Sequence, residues 1–381
     1  MLSIRMIGMG KNDKIVSVVR CGEYGRSRVY GAVKKSIGLL GGLGQFVEPG
    51  RSVFLKFNLL CGAAPETCIA THPDAVYAVA RLLKEHGCRV VMGDSPGSGL
   101  PYTEAVLKKA YAESGFTDVS EELGIPLSYD TDYVRVEAPS GRLAKKFSII
   151  KPALEADSLV VVSKAKTHAL TYLSGAAKNI FGVIPGLEKP LYHANYQTAD
   201  VFGGVMVDLN EVMKPKLQVM DAIVGMEGDG PHGGTPRRIG AILASGDYTA
   251  IDVATARLMS IDPGRVSTIT AAVERGYLKE DYGDLTIVGE PLEGLIVGDY
   301  KLPSTYNAPR RDSSRMKSFI SSIKPHIVAD RCIGCMKCLR SCPVKAITAV
   351  DKKPAIDDEK CIRCYCCHEM CDDHAIALDR S

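Results

Sequence analysis

The segment "CIRCYCCHEMC", Cys361–Cys371, places five cysteines within eleven residues. Thiols this close together belong to a disulfide knot, to a metal or cluster site, or to a redox-active pair. Of the thirteen cysteines in the chain, nine lie in its last fifty residues, and the other four are scattered through the rest. In a reducing compartment, clustered thiols are metal ligands more often than disulfides. The placement therefore favours a metal or cluster site.

The same cysteine pattern occurs twice. The run "CIGCMKCLRSC", Cys332–Cys342, has the spacing C-x2-C-x2-C-x3-C, and this spacing returns 29 residues later in Cys361–Cys371. The similarity continues, because "PVKAI" follows the first run and "DDHAI" follows the second. Three thiolates on one tight loop reach three corners of a four-iron cluster, and the fourth ligand must come from elsewhere. The duplication predicts two similar iron–sulfur sites.

Residues 328–381 resemble the bacterial two-cluster ferredoxins, in which the last cysteine of each run ligates the other cluster. The resemblance implies two [4Fe–4S] clusters and an electron-transport role. It also implies two crossed ligand sets. The first set is Cys332, Cys335, Cys338 and Cys371, and the second is Cys361, Cys364, Cys367 and Cys342. The remaining thiol, Cys366, fits no ligand position and is interpreted as a small buried apolar side chain.

Length and composition limit the function classes. A chain of 381 residues predicts more than one domain, and 46% hydrophobic with 24% charged residues is typical of a globular protein. The net charge of +3 gives no reason to expect nucleic-acid binding. No apolar run reaches the roughly 18 residues that cross a membrane, and residues 1–21 lack the pattern of a secretory signal. We therefore expect a cytoplasmic protein without membrane spans.

Residues 1–303 alternate strand-like and helix-like segments. One helix signal is "THPDAVYAVARLLKEHG", Thr71–Gly87, with Thr at the cap, Pro in the first turn and Gly at the end. Apolar strands that alternate with helices predict an α/β domain with a mostly parallel sheet flanked by helices. Residues 304–327 are predicted to be a basic linker with a short amphipathic helix at its end. A small α+β ferredoxin-like two-cluster domain follows at 328–381.

Polar residues that follow the strand-like segments are candidates for a binding site, because ligands of parallel sheets bind beyond the carboxyl ends of the strands. The segment "KAKTHALTYLSGAAKNIFGVIPGLEK", Lys164–Lys189, is interpreted either as an irregular surface loop or as an anion-binding loop. Lys166 and His168 are the catalytic candidates, since they could bind an anionic group and supply protons. The substrate-binding candidates are Lys56, Asn58, Asp94, Ser95, Lys164, Lys178, Asn179 and Asp221.

The same segment resembles the domain of unknown function 362 family. The family's K-x-H segment matches Lys166 and His168, and its G-A-x-K-N-x-F-G-x-x-P-G run matches residues 175–186. "KFNLL", residues 56–60, is similar to the family's K-P-N-L strand end, with Phe57 in place of proline. The resemblance implies this domain over most of residues 15–300, but it implies no reaction.

Three functions remain open at this point. The first is an oxidoreductase that passes low-potential electrons to or from an anionic substrate in the α/β domain. The second is a non-enzymatic electron carrier or redox-sensing ligand-binding protein, and the third gives the clusters a structural role. Two smaller interpretations accompany them. Glu227, Asp229 and His232 form either a polar turn or a substrate or divalent-cation site, and Asp252 is interpreted as a helix-dipole residue.

Overall fold

The computed structural model describes residues 14–97, 99–307, 310–313, 318–321 and 323–379. The strands are β1 Lys14–Arg20, β2 Ser52–Lys56, β3 Arg89–Gly93, β4 Tyr133–Glu137, β5 Lys146–Ile150, β6 Ser158–His168, β7 Tyr172–Leu173, β8 Leu217–Glu227, β9 Thr235–Ser245, β10 Leu285–Gly289, β11 Arg310–Ser313, β12 Ser318–Ser321, β13 Lys324–Ile327, β14 Ile347–Val350, β15 Lys353–Ile356 and β16 Ile376–Asp379. The helices are α1 Arg26–Leu39, α2 Pro73–Glu85, α3 Glu104–Glu113, α4 Phe116–Leu123, α5 Lys151–Glu155, α6 Gly175–Asn179, α7 Lys189–Asn195, α8 Ala199–Met213, α9 Tyr248–Leu258, α10 Ser267–Glu274, α11 Lys337–Ser341 and α12 Cys366–Glu369.

The large domain is built on one mixed sheet with the strand order β10-β1-β9-β8-β6-β2-β3. All neighbours in this order pair in parallel, except that β9 runs antiparallel to both β1 and β8. The short strand β7 is added to the end of β6 in antiparallel pairing. The mostly parallel α/β sheet predicted from the sequence is confirmed.

Both faces of the sheet are covered, because successive side chains of a strand point to opposite faces. In β2, Val53 and Leu55 belong to the core cluster that holds the buried sides of α1 and α2, whereas Phe54 belongs to the cluster that holds α8. A third cluster packs α9 and α10 against β1 and β9. Continuous apolar strands are what a sheet buried on both faces requires.

The segment before the ferredoxin-like unit differs from the prediction of a linker with a helix. Thr305 and Tyr306 are buried on the large domain, and Tyr306 belongs to one of its core clusters. Residues 324–327 form strand β13, which pairs with β16 of the small unit. The predicted amphipathic helix is therefore wrong, because these residues complete a sheet. We propose that the large domain extends to residue 307 and that the small unit begins at residue 324.

The small unit contains two short antiparallel sheets, β13–β16 and β14–β15, and two short helices, α11 and α12. It packs on the large domain, since Tyr365 shares a core cluster with α8 and β5. Among the described residues, no helix is both long and apolar enough to cross a membrane.

Candidate functional site

The cysteines of the small unit line two separate cavities of about 320 Å³ each. One cavity is lined by Cys332, Cys335, Cys338 and Cys371. The other is lined by Cys342, Cys361, Cys364 and Cys367, together with Cys366. These are the two crossed sets that the ferredoxin resemblance implies, and sulfur ligands suit iron–sulfur clusters. The cysteines therefore fit two clusters, which would supply single electrons at low potential.

The sequence repeat is also a repeat of backbone conformation. Three pairs of residues 29 positions apart have positive φ angles, which bend the loops around the cavities. They are Gly334 and Arg363, Met336 and Tyr365, and Lys345 and His374. In both halves a backbone N–H donates to the fourth cysteine, from Ala346 to Cys342 at 3.1 Å and from Ala375 to Cys371 at 3.2 Å. Such N–H donors stabilise thiolates.

At the carboxyl end of the large sheet, a buried ion pair lies between two strand ends. Lys56 at the end of β2 and Asp94 just after β3 are 2.9 Å apart, from Nζ to Oδ1, and both are buried. Lys56 Nζ also donates to Asn179 Oδ1 at 2.8 Å and to the Phe57 carbonyl at 2.9 Å. Asp94 Oδ2 accepts from the Leu59 N–H. Both charged groups are thus saturated by the protein and set the position of Asn179.

A second buried ion pair joins the next two strands. Lys164 of β6 lies opposite Asp221 of β8, with Nζ 3.0 Å from Oδ2, and Tyr24 accepts from the same ammonium at 2.6 Å. Asp221 also accepts from the Tyr24 hydroxyl and the His72 N–H. The carboxylate neutralises Lys164, so this lysine contributes little uncompensated charge to the site.

In the part of the chain that the structure describes, Lys166 has no such carboxylate partner. It lies two residues after Lys164 in β6, and a register shift in the pairing with β8 falls between the two lysines. Its Nζ donates to the Ile69 carbonyl at 2.6 Å and to the Pro231 carbonyl at 3.5 Å. Burial, with Lys178 nearby, lowers the pKa of Lys166 to about 7. The amine can therefore exchange a proton near neutral pH.

Lys178 and Asn179 are presented by the short helix α6. The buried Asp252 accepts from the first two free N–H groups of α6, those of Ala176 at 2.5 Å and Ala177 at 3.0 Å. Asp252 therefore caps α6. The prediction that it interacts with the dipole of its own helix is wrong, because it lies in the middle of α9 and the residue that caps α9 is Asp247. Burial raises the pKa of Asp252 to about 7 in spite of these donors.

Lys178 is the cation with the least support from the protein. Among the described residues, its ammonium makes no hydrogen bond or ion pair and lies 5.8 Å from the ring centre of Phe181 and 5.9 Å from that of Phe202. Burial lowers its pKa. An ammonium in this position is available for an anion.

Lys189 and Ser95 form a polar pair, of which only Ser95 was among the predicted site residues. Lys189 is buried, and its Nζ donates to Ser95 Oγ at 2.5 Å and to the Ser95 and Pro96 carbonyls. Burial lowers the pKa of Lys189 to about 7. Lys189 ends the lysine-rich segment, but no periodicity or spacing separates it from an ordinary surface lysine, and it was therefore not among the candidates.

His168 faces the small unit rather than an open pocket. Its Nδ1 accepts from the Leu170 N–H at 3.0 Å and the Thr171 N–H at 3.4 Å, so the proton of the neutral ring is on Nε2. Nε2 lies 3.0 Å from Glu369 Oε1 of α12, although the two groups are not aligned as a hydrogen bond. Burial lowers the pKa of His168 to about 4. Burial by itself would raise the pKa of Glu369. His168 and Lys178 outweigh this effect and hold the pKa of Glu369 below its usual range.

These residues surround two adjoining cavities. The first, here called the lysine cavity, has a volume of about 310 Å³. Its polar lining consists of Asn58, Lys164, Lys166, Ser174, Lys178 and Asn179. The second, here called the interface cavity, has a volume of about 400 Å³. Its polar lining consists of Asn58, Asp94, Ser95, Lys178, Asn179, Lys189 and Glu369. Asn58, Lys178 and Asn179 line both.

The predicted candidates fall into three groups. Eight of the ten lie on the cavity walls or, for Lys56, directly behind them, as the residues above show. Asp221 lies behind Lys164, and His168 points to Glu369. Glu369 itself was missed, because in the sequence it is only one polar residue between two cysteine ligands.

The loop residues Glu227, Asp229 and His232 act separately. Glu227 accepts from the Lys301 N–H, and Asp229 accepts from the Ser304 N–H and hydroxyl. His232 lies 3.9 Å from Asp372 of the small unit. Of the two interpretations, these contacts favour the polar turn, which holds the segment that leads to the small unit.

Comparison with known proteins gives two family matches and a relative. Residues 324–372 match the 4Fe-4S dicluster domain. The thylakoid-associated protein sll1697 of Synechocystis sp. is 33% identical over 320 residues, which cover 80% of this chain and 94% of that protein. The apoprotein of lactate racemase from Thermoanaerobacterium thermosaccharolyticum is a solved structure with 15% identity and a TM-score of 0.43, and the match covers 65% of this chain and 57% of that one. Residues 53–257 match the family described as domain of unknown function (DUF362), and the chain belongs to that family, with a C-terminal iron–sulfur domain.

Proposed function

We propose that the protein is an iron–sulfur oxidoreductase. In this proposal the small unit exchanges low-potential electrons with a small anionic substrate that is bound between the two units. Holding an electron carrier and a substrate site in one chain gives them a high effective concentration. The proposal also requires an external redox partner, which supplies or removes the electrons.

The observation that carries the proposal is the position of Glu369. This residue is separated by one residue each from the ligands Cys367 and Cys371, which belong to different clusters in the crossed arrangement. It lines the interface cavity together with Lys178. A substrate in that cavity is therefore next to the segment that would hold both clusters. A carrier that serves mobile partners would not need a buried cavity at this position.

The side chains around the cavities have distinct roles in the proposal. Lys178, whose ammonium makes no hydrogen bond or ion pair among the described residues, binds the negative charge of the substrate. Lys166, with a pKa of about 7, donates or accepts a proton when the charge of the substrate changes. His168 is a positioning residue, because backbone donors fix its Nδ1 and its Nε2 lies 3.0 Å from Glu369 Oε1. Lys56, Asp94 and Asn179 keep the wall rigid.

The test begins with anaerobic purification of the full chain and mass spectrometry of any small molecule that co-purifies. The clusters are then reduced, the molecule is added, and reoxidation is followed by visible absorbance and paramagnetic resonance. We expect substrate-dependent reoxidation in the wild type and at least a tenfold slower rate in Lys178→Met. Lys109→Met is the matched control, since Lys109 is 76% exposed and lines neither cavity.

Three results would contradict the proposal. Reoxidation by an added redox protein at a rate that no small molecule changes would favour the electron carrier. Equal rates for Lys178→Met and Lys109→Met would remove the anion-binding site. Full turnover in a variant that has lost its clusters but remains folded would instead favour the structural role.

A further inference from the structure

The lysine cavity and the interface cavity differ in charge, although they share a wall. Asn58, Lys178 and Asn179 line both. Every charged side chain on the lysine cavity is a lysine, whereas the interface cavity also contains the carboxylates of Asp94 and Glu369. A ligand that occupies both cavities therefore meets two different chemical environments.

The lysine cavity has an excess of positive charge. Lys164 is neutralised by Asp221 at 3.0 Å, but the hydrogen bonds that Lys166 makes to described residues go to carbonyl oxygens. The ammonium of Lys178, which has no hydrogen-bond partner in the described part of the chain, lines the same space. Buried cations without anionic partners are costly. This cavity is suited to the anionic group of a ligand.

The interface cavity has an excess of acceptors. The oxygens of Asp94 are already used by Lys56, by the Ser95 N–H and by the Leu59 N–H. The Nζ of Lys189 is used by Ser95 and Pro96. Among the described residues that line this cavity, two buried oxygens accept no hydrogen bond, Glu369 Oε1 and Asn58 Oδ1. Glu369 is 3% exposed and lines this cavity.

An unsatisfied buried acceptor costs free energy until a donor reaches it. His168 offers an N–H that is close to Glu369 but poorly aligned with it. Glu369 Oε1 can therefore still accept a hydrogen bond from a ligand. No anion would be stable next to this oxygen. The group that enters the interface cavity must therefore donate hydrogen bonds.

We infer that the ligand is a small organic anion that carries a hydroxyl or amino group, with its anionic end at Lys166 and Lys178 and its donor group at Glu369 and Asn58. This inference rests on the proposed function, because it names the substrate class of the same site. The donor group is also held beside the segment that carries Cys367 and Cys371. The end of the ligand that faces the clusters is thus the hydroxylated or aminated carbon.

The experiment measures equilibrium binding to the full, cluster-loaded chain, in the oxidised state and without a reductant. The probes are propionate and butyrate, compared with 3-hydroxypropionate and 4-hydroxybutyrate. A parallel pair, ethyl phosphate and 2-hydroxyethyl phosphate, shows whether the anionic end is a carboxylate or a phosphate. We expect at least one hydroxylated probe to bind about tenfold or more tightly than its plain counterpart, since a hydrogen bond to a charged acceptor contributes that much.

Variants separate the two ends. Lys178→Met should weaken the plain and the hydroxylated probe by the same factor and leave the preference unchanged. Glu369→Met should abolish the preference, and Glu369→Gln, which keeps the shape and a weaker acceptor, should reduce it several-fold. Glu359→Gln, an exposed carboxylate of the small unit, is the matched control and should change neither value. Iron content is measured for every variant, and if Glu369→Met loses its clusters, Glu369→Gln decides.

The inference is overturned if hydroxylated and plain probes bind equally, if no anion binds in the millimolar range, or if Glu369→Gln keeps the full preference. These outcomes differ from failure of the proposed function. Binding with the expected preference, but without reoxidation of reduced clusters by any bound probe or co-purified molecule, would leave the ligand class intact and remove the electron transfer.

Discussion

Replacing Gly182 by alanine should break the buried ion pair that supports the site. Gly182 lies in a short 3₁₀ turn after α6, and a Cβ atom there would be 2.0 Å from Asp94 Oδ1 and 2.4 Å from Lys56 Nζ. Real Cβ atoms essentially never come closer than 3.0 Å to another heavy atom. The carboxylate or the turn must therefore move by about 1 Å, in a region where packing leaves little free space.

The size of the effect follows from what the pair would lose. Lys56 and Asp94 are both buried, and separating such a pair leaves uncompensated charge at a cost of about 3–5 kcal/mol. If the turn moves instead, overpacking costs about 1–3 kcal/mol. Because the structure relaxes by the less costly route, we expect Gly182→Ala to lower the free energy of unfolding of the large domain by about 1–3 kcal/mol.

Urea unfolding of the full chain under anaerobic conditions, followed by far-ultraviolet circular dichroism, measures the loss. The matched control is Gly31→Ala in the middle of α1, where a Cβ atom meets nothing within 4 Å. That variant should be more stable by about 0.5–1 kcal/mol, because alanine is the better helix residue. Asp94→Ser makes room for the methyl group that Gly182→Ala adds. In an Asp94→Ser background, Gly182→Ala should therefore lower the free energy of unfolding by less than it does in the wild type. A loss below about 1 kcal/mol for Gly182→Ala alone would refute the reasoning.

Three further predictions concern the clusters, the domain boundary and pH. Anaerobic reconstitution should give about eight iron and eight sulfide per chain. Cys364→Ala should lose at least one cluster, whereas Cys366→Ala should lose none. Equal losses of iron in the two variants would show the ligand assignment to be wrong. Residues 1–303 should fold alone. A fragment of residues 1–307 should have a higher urea midpoint, because Tyr306 packs in the core and accepts from the Asp262 N–H at 3.1 Å. An insoluble 1–307 fragment would contradict this prediction. The pKa of Lys166 is about 7 in the folded protein, below its value in the unfolded chain. Between about pH 7 and pH 10 the unfolded chain therefore binds more protons than the folded protein. The free energy of unfolding should rise with pH over that range. In urea titrations at pH 7 and 9.5 the rise should be smaller in Lys166→Met than in Lys109→Met, and an unchanged rise would count against the buried neutral amine.

The sequence carried most of the information about the small unit because its chemistry is local. Cys332, Cys335 and Cys338 are close in space since they are close in the chain, and a repeat of 29 residues makes the second half a copy of the first. The crossed fourth ligands, Cys342 and Cys371, are what the ferredoxin resemblance implies, and each lines the cavity formed by the three cysteines of the other run. The mostly parallel sheet was predictable for a related reason, since apolar strands that alternate with helices recur along the chain.

Only the tertiary structure decided what each polar residue of the large domain does. Lys164 and Lys166 are two residues apart and look alike in the sequence, yet Asp221 neutralises one of them and carbonyl oxygens surround the other. Asp252 looks like a residue of its own helix but caps α6. Glu369 reaches the interface cavity from more than 150 residues beyond the strands that form its wall. Local spacing fixes ligands on one loop, whereas charge pairing and capping depend on which distant segments the packed core brings together, and no short stretch of sequence contains that information.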